Sequence, residues 1–373
     1  MVQKVSPDKP RIVFACESLV EGNGGISRVD RLITQVLREE ALAGSLDVEH
    51  IVFCDGAASN VFVPWRHTCC NGSRLRFLIE VWYAAIRPGV FIYDTPYFAR
   101  VHPMVLGLRR RYMVFFHGIE VWERCKSSWL RASRHADMLV TNSDYTRMRA
   151  EQLHRVFGRA RVCWLSTEAG SEAMYHPESD EVRRVLIVGR MSREGYKGHR
   201  ELILALPKVA SSVGNVKLDI VGQGPLRPKL EQLVAETGVS KDVTFHGFMS
   251  EDELGKAYRK ATVFAMPSRG EGFGLVYIEA MRHGIPVIAS RHDAASEVVA
   301  DGKTGLLVDL DKPDDLAEKL IVLLRNPVLR RRMGEAGLDR WKEHFTYPAF
   351  RSRFRLVLAD LFSGHAATMP SQA

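Results

Sequence analysis

Short apolar runs recur along this chain, most of them ending in a glycine-bearing turn and followed by a helical pattern. This alternation limits the possible folds more than any other feature. RIVFAC (11–16) runs into Gly22-Asn23-Gly24-Gly25. From Ser27 to Arg38, residues Val29, Leu32, Ile33, Val36 and Leu37 then fall on one helical face. EHIVFC (49–54), GVFIYD (89–94), YMVFFH (112–117) and DMLVTN (137–142) continue the series. The grammar restarts with VRRVLIVGR (182–190) and KLDIVGQGP (217–225). DVTFHGF (242–248), TVFAMPS (262–268), IPVIAS (285–290) and GLLVD (305–309) complete it. Continuous Val/Ile/Phe runs separated by helices predict parallel sheets buried on both faces.

At 373 residues the chain is long enough for two domains of about 150 residues each. The polar, aperiodic stretch 168–181 reads as the linker. The expected division is 1–170, 180–347, an amphipathic helix over 348–363 and a frayed tail over 364–373. Two doubly wound domains joined by a linker would face each other across a cleft. Ligands of such sheets bind beyond the carboxyl ends of the strands, where every glycine loop named above lies.

Composition excludes several classes. Hydrophobic residues at 46% and charged residues at 26% describe a packed globular chain. No apolar stretch approaches the roughly 18 residues of a membrane-spanning helix, and the opening residues are read as carrying no signal peptide. Cys16, Cys54, Cys69, Cys70, Cys125 and Cys163 form no CxxC pair and read as reduced thiols, which points to the cytoplasm. Net charge is +8, and residues 66–134 alone hold 12 basic and 4 acidic residues, including Arg74, Arg76 and Arg109-Arg110-Arg111. A basic face suits phosphorylated ligands or anionic lipid. No nucleic-acid-binding pattern accompanies it.

The most informative segment is Pro267-Ser268-Arg269-Gly270-Glu271-Gly272-Phe273-Gly274-Leu275 and the helix after it, which carries Glu279 and stops at Gly284. Free amides at a helix start bind anions. A carboxylate on each side of that start suits a diphosphate flanked by hydroxyl-bearing groups, as in a nucleotide sugar.

Glu271 and Glu279, within EGFGLVYIEAMRHGIPVIAS, form an E-x7-E arrangement that resembles the signature of the GT4 glycosyltransferases of GT-B fold. VLIVGRMSREGYKGHRELILAL (185–206), Val221-Gly222-Gln223-Gly224-Pro225, Phe245-His246-Gly247-Phe248 and Asp301-Gly302-Lys303-Thr304-Gly305-Leu306 extend the resemblance. It is thinner in the first half, at Gly24-Gly25 and Phe116-His117-Gly118. It implies two Rossmann-like doubly wound domains, the donor on the second and the acceptor on the first.

It also implies roles. Glu271 would meet the donor sugar hydroxyls, and the amides of Phe273, Gly274 and Leu275 the sugar and phosphate. Glu279 would hold the ribose, while Gly24, Gly25 and Gly224 would line the donor site. Arg190 and Lys197 would grip the diphosphate, with Arg193 in reserve because this loop is slightly longer than the family's. Positive groups placed where the leaving group gains charge lower the barrier. His117 would face the reacting sugar, and Asp94 and Glu120 are weaker acceptor-side candidates.

Asp309-Leu310-Asp311 is formally DxD, but turn and N-cap chemistry accounts for it. No metal and no other cofactor is expected. The loop Gly22-Asn23-Gly24-Gly25-Ile26-Ser27 is not the GxGxxG of dinucleotide enzymes. The segment 74–87 has Leu75, Leu78, Ile79, Trp82 and Ile86 on one face, read either as a core-facing helix or as one lying on a membrane surface.

The expected activity is a retaining transferase. It would move a hexose from a UDP- or GDP-linked donor to a saccharide or lipid-linked acceptor, at the inner membrane face if the acceptor is a lipid. The alternatives are a nucleotide-sugar epimerase or hydrolase on the same fold and a catalytically silent nucleotide-sugar-binding subunit.

Overall fold

A computed structural model describes residues 9–20, 24–54, 65–123, 125–171 and 182–364. Most of the stretch read as linker, the residues Gly22 and Asn23, and the tail beyond 364 lie outside the described residues. The chain divides into two compact units, Met1–Ala169 with Tyr347–Ala373, and Gly170–Thr346.

Among the described residues the first unit holds seven parallel strands: β1 (Arg11–Cys16), β2 (Asp47–Val52), β3 (Arg66–Cys69), β4 (Val90–Tyr93), β5 (Arg111–Phe116), β6 (Met138–Thr141) and β7 (Arg161–Val162). Their order is β3-β2-β1-β4-β5-β6-β7. The second unit holds β8 (Arg183–Val188), β9 (Val216–Val221), β10 (Val243–Gly247), β11 (Val263–Met266), β12 (Val287–Ser290) and β13 (Gly305–Val308). These are also parallel, in the order β10-β9-β8-β11-β12-β13. In each sheet the order reverses once, between β1 and β4 and between β8 and β11. Crevices at such reversals are where open α/β sheets bind ligands.

The apolar runs are strands because helices cover them. β1, β4, β11 and β12 are buried along their whole lengths. The helix Gly25–Leu42 buries Val29, Leu32, Ile33, Val36 and Leu37, the stripe its spacing predicts. β3 and β7 lack a sequence signal: RHTC is polar and RV is two residues long, as edge strands can be.

The helix Arg74–Ile86 faces the core, but not through the stripe named from the sequence. Its buried residues are Phe77, Val81, Ala84 and Ala85, whereas Leu75, Ile79, Trp82, Tyr83 and Ile86 are exposed. Both sets have helical periodicity, so the pattern alone admits either face. The face chosen ends in two alanines, which let the helix backbone lie close to the sheet.

The helix Tyr347–Ser363 packs on the helix Gly25–Leu42 and on β5 within the first unit. Phe350 and Phe354 are fully buried. The Tyr347 hydroxyl donates to Glu39 (2.9 Å), and Arg161 pairs with Asp360 (2.6 Å). Phe354→Ala is expected to cost the first unit about 3–5 kcal/mol. Urea unfolding followed by unit-specific fluorescence or exchange should show the first unit weakened and the second unchanged.

Candidate active site

In the second unit, the loops beyond β8, β9 and β11 carry the candidates. Arg190 lies two residues past β8 and is exposed, as is Arg193. Lys197 lies in the same loop, and its Nζ donates to Glu271 Oε2 at 2.7 Å. Both side chains are 18% exposed, so the pair is shielded yet reachable. Burial works against the Lys197 charge, but Glu271 and, more weakly, Asp293 outweigh it and raise the ammonium pKa.

The loops are sewn together. The Arg269 amide donates to the Tyr196 carbonyl (2.8 Å) and the Met191 amide to the Gln223 carbonyl (3.0 Å). Gly224 has φ 154°, and a Cβ there would lie 2.2 Å from the Met191 carbonyl oxygen. Its lack of a side chain therefore serves the approach of two loops.

Gly274 caps the helix Leu275–Arg282 at φ 93°, with no side-chain hydrogen bond to the first amides. A Cβ on Gly274 would strike the Tyr277 ring at 2.2 Å. The Tyr277 hydroxyl is fixed by the Met266 carbonyl (2.8 Å). Phe273 is buried against Phe345, so it offers backbone, not its ring; Leu275 is half-buried. Glu279 is 8% exposed and accepts from the Tyr258 hydroxyl at 2.8 Å. Of the predicted donor-side residues, the structure joins Lys197 to Glu271 by a direct bond. Arg190, Gly224, Phe273, Gly274, Leu275 and Glu279 lie on the loops and helix around the same strand reversal.

In the first unit, Gly24 caps its helix without a side-chain bond, and a Cβ on Gly24 or Gly25 would meet nothing within 4 Å. His117 follows β5. Its Nε2 donates to the Asp94 carbonyl (2.8 Å), which leaves Nδ1 as the acceptor. Burial holds the imidazole pKa below its usual value, against the opposing pull of Glu120. The Glu120 carboxylate accepts from the His117 amide.

Asp94 is fully buried and accepts from the Glu17 amide (2.7 Å). Burial pushes its carboxyl up to about 7. Asp30, also fully buried, lies beside it, and burial together with Asp94 raises its pKa strongly. The sequence signal for Asp30 was present: with Ile33, Thr34 and Leu37 it stands at i, i+3, i+4 and i+7 on the buried face. Asp293 and Tyr258 were also missed. Asp293 lies just beyond the carboxyl end of β12, a place where acids merit attention.

His292, Asp309 and Asp311 bring potential metal-ligand atoms within 4.8 Å of one another. Asp311 pairs with Arg269 (2.7 Å), while Arg291 and Lys312 approach Asp309 at 3.9 and 3.8 Å. Asp309 also accepts from the Asp311 amide (3.2 Å). Turn bonding and side-chain cations thus already engage these carboxylates.

Two doubly wound parallel sheets, each with its glycine loops at the reversal of strand order, define the GT-B class. Residues 175–340 match the family model "Glycosyl transferases group 1". The chain is 33% identical over 303 residues to the GDP-mannose-dependent alpha-(1-6)-phosphatidylinositol monomannoside mannosyltransferase of Mycolicibacterium smegmatis, covering 73% of this chain and 76% of that one. It belongs to this glycosyltransferase family. Among solved structures, sucrose-phosphate synthase from Thermosynechococcus elongatus matches with TM-score 0.77 at 21% identity, over 95% of this chain and all of that one. Anabaena HepE in complex with UDP and glucose matches with TM-score 0.75 at 19% identity, over 94% and 100%. These two support the fold.

The raised carboxyl pKa values make a stability prediction. An aspartate whose pKa is higher in the folded state favours folding at low pH, and that contribution is lost as pH rises from its unfolded value, 3.8, towards about 7. Asp94→Asn keeps an oxygen for the Glu17 amide but has no proton to lose. Its stability relative to wild type should rise between about pH 4 and about pH 7 in urea titrations and level off above that. A constant difference would contradict the burial of an ionisable Asp94.

Proposed function

We propose that this protein is a retaining hexosyltransferase, with GDP-mannose the first donor to test and a lipid-linked saccharide as acceptor. The observation that carries this reading is the Lys197–Glu271 pair beside an uncapped helix start at the strand reversal. The mannosyltransferase relative supports the choice of donor and acceptor class.

In this reading the amides at Gly274 and Leu275 receive the diphosphate, and Arg190 and Lys197 add charge where the leaving group becomes more anionic. No metal is needed for that role. Glu271 accepts from sugar hydroxyls through the oxygen Lys197 does not occupy, and Glu279 holds the ribose. The acceptor hydroxyl attacks the face from which the nucleoside diphosphate departs, and a departing phosphate oxygen takes its proton. His117, neutral and with Nδ1 free to accept, orients a hydroxyl and does not carry the proton.

The exposed face of the helix Arg74–Ile86 suits an acceptor that resides in a bilayer. Trp82 Nε1 donates to the Val101 carbonyl (3.0 Å), tying the helix to a turn where Met104, Val105 and Leu106 are exposed. Arg74, Arg76 and Arg109 are exposed on the same elements. Apolar side chains beside cations match an anionic lipid surface.

Two measurements test the proposal. Lys197→Ala and Glu271→Ala should each lower kcat/KM for mannosyl transfer by about 100-fold while the protein stays folded; full turnover in Glu271→Ala would sink the assignment. In flotation assays, vesicles containing phosphatidylglycerol should carry the wild type and release it at high salt. Ile79→Glu should abolish flotation without weakening GDP binding, and its unchanged flotation would exclude this face.

A further inference from the structure

Asp293 is fully buried, three residues past β12, the neighbour of β11. Its Oδ2 accepts from the Glu271 amide (2.9 Å) and its Oδ1 from the Ala295 amide (3.0 Å). The next residue returns the contact: the Ala294 amide donates to the Glu271 carbonyl (3.1 Å). One short segment therefore holds Glu271 by both its amide and its carbonyl. The Glu271 side chain then reaches Lys197 at 2.7 Å. Facing Asp293 are Lys197 from the loop after β8, Glu271 and Ser268 from the loop after β11, and Tyr277 from the following helix.

We propose that Asp293 is a positioning residue of the donor site, fixing the Glu271 backbone so that the Glu271 carboxylate meets Lys197 and the donor sugar together. The proposal rests on the reading of Glu271 as the sugar's partner. The residue type follows from the geometry. Two amides approach from different sides, and only a group with two acceptor oxygens receives both. Asparagine keeps one oxygen and turns an amino group towards the other amide. Burial makes that mismatch costly, because no water reaches in to repair it. Burial also pushes the carboxyl up to about 7, with the two amide bonds opposing it and the Glu271 charge adding to it. The positioning bonds thus involve a group that titrates near neutrality.

The test compares wild type, Asp293→Asn, Glu271→Ala and the double variant. Calorimetry reads binding of GDP and of GDP-mannose, and amide exchange reads the Glu271 N–H without any ligand. Asp293→Asn should weaken GDP-mannose by about ten-fold while leaving GDP nearly unchanged, because a displaced Glu271 loses the sugar and not the diphosphate. The Glu271 amide should exchange faster, and adding Asp293→Asn to Glu271→Ala should cost no further affinity. Equal weakening of GDP and GDP-mannose, additive losses, or an unchanged Glu271 amide would each overturn the proposal. If Asp293→Asn does not fold, Asp293→Glu, which retains two acceptor oxygens, takes its place. It should weaken GDP-mannose more than GDP, and equal effects would overturn the proposal. A wild type that binds neither nucleotide removes the GDP-mannose donor reading on which the proposal rests, and with it the proposal as stated. Accelerated exchange at Glu271 would still separate that result from a failure of the Asp293 contact.

Discussion

The second unit is organised around one ion pair, that between Lys197 and Glu271. An ammonium and a carboxylate this shielded persist only when matched, since removing either leaves a charge that burial penalises. The pair joins the loop after β8 to the loop after β11, which are the loops flanking the reversal of strand order. The contact of Gly224 with Met191, the bond from Arg269 to Tyr196 and the clamp of Asp293 on Glu271 all bring backbone to where this pair can form. A loose loop would let water separate the charges, and a held one presents them to a ligand with little further ordering.

The first unit repeats part of this device. There, too, a buried aspartate at a strand's carboxyl end accepts from the amide of a glutamate on the neighbouring strand's loop: Asp94 with Glu17, as Asp293 with Glu271. Burial raises both carboxyls to about 7. In the first unit a second buried acid, Asp30, stands beside Asp94, whereas in the second unit the cation Lys197 stands near Asp293. The stability given up by burying these acids is retained as fixed geometry at the strand ends.

Much of this was legible in the sequence. The five apolar residues of the Gly25–Leu42 stripe were predicted, because an amphipathic helix on a sheet has one apolar face; its polar member Asp30 was not. The strand–turn–helix course from Pro267 to Gly284 was equally clear, since an apolar run, a glycine turn and a helix stopped at Gly284 follow in order. The Arg74–Ile86 helix was not: apolar on most of its circumference, it has two faces with helical periodicity, and the choice depends on how closely Ala84 and Ala85 approach the sheet. Strands β3 and β7 were invisible because edge strands need little apolar sequence. Asp293 was passed over because its importance comes from two backbone amides, which no side-chain motif reveals.

The central claim is that the β8–β11 reversal binds a nucleoside diphosphate sugar. The most direct test is a thermal-shift panel of GDP, UDP and ADP with their common sugar conjugates, on wild type and Glu271→Ala. Binding to the folded state raises the melting temperature by mass action. The account predicts a shift with one nucleotide family, greater for the sugar conjugate, with that increment lost in Glu271→Ala. No shift with any nucleotide would contradict it.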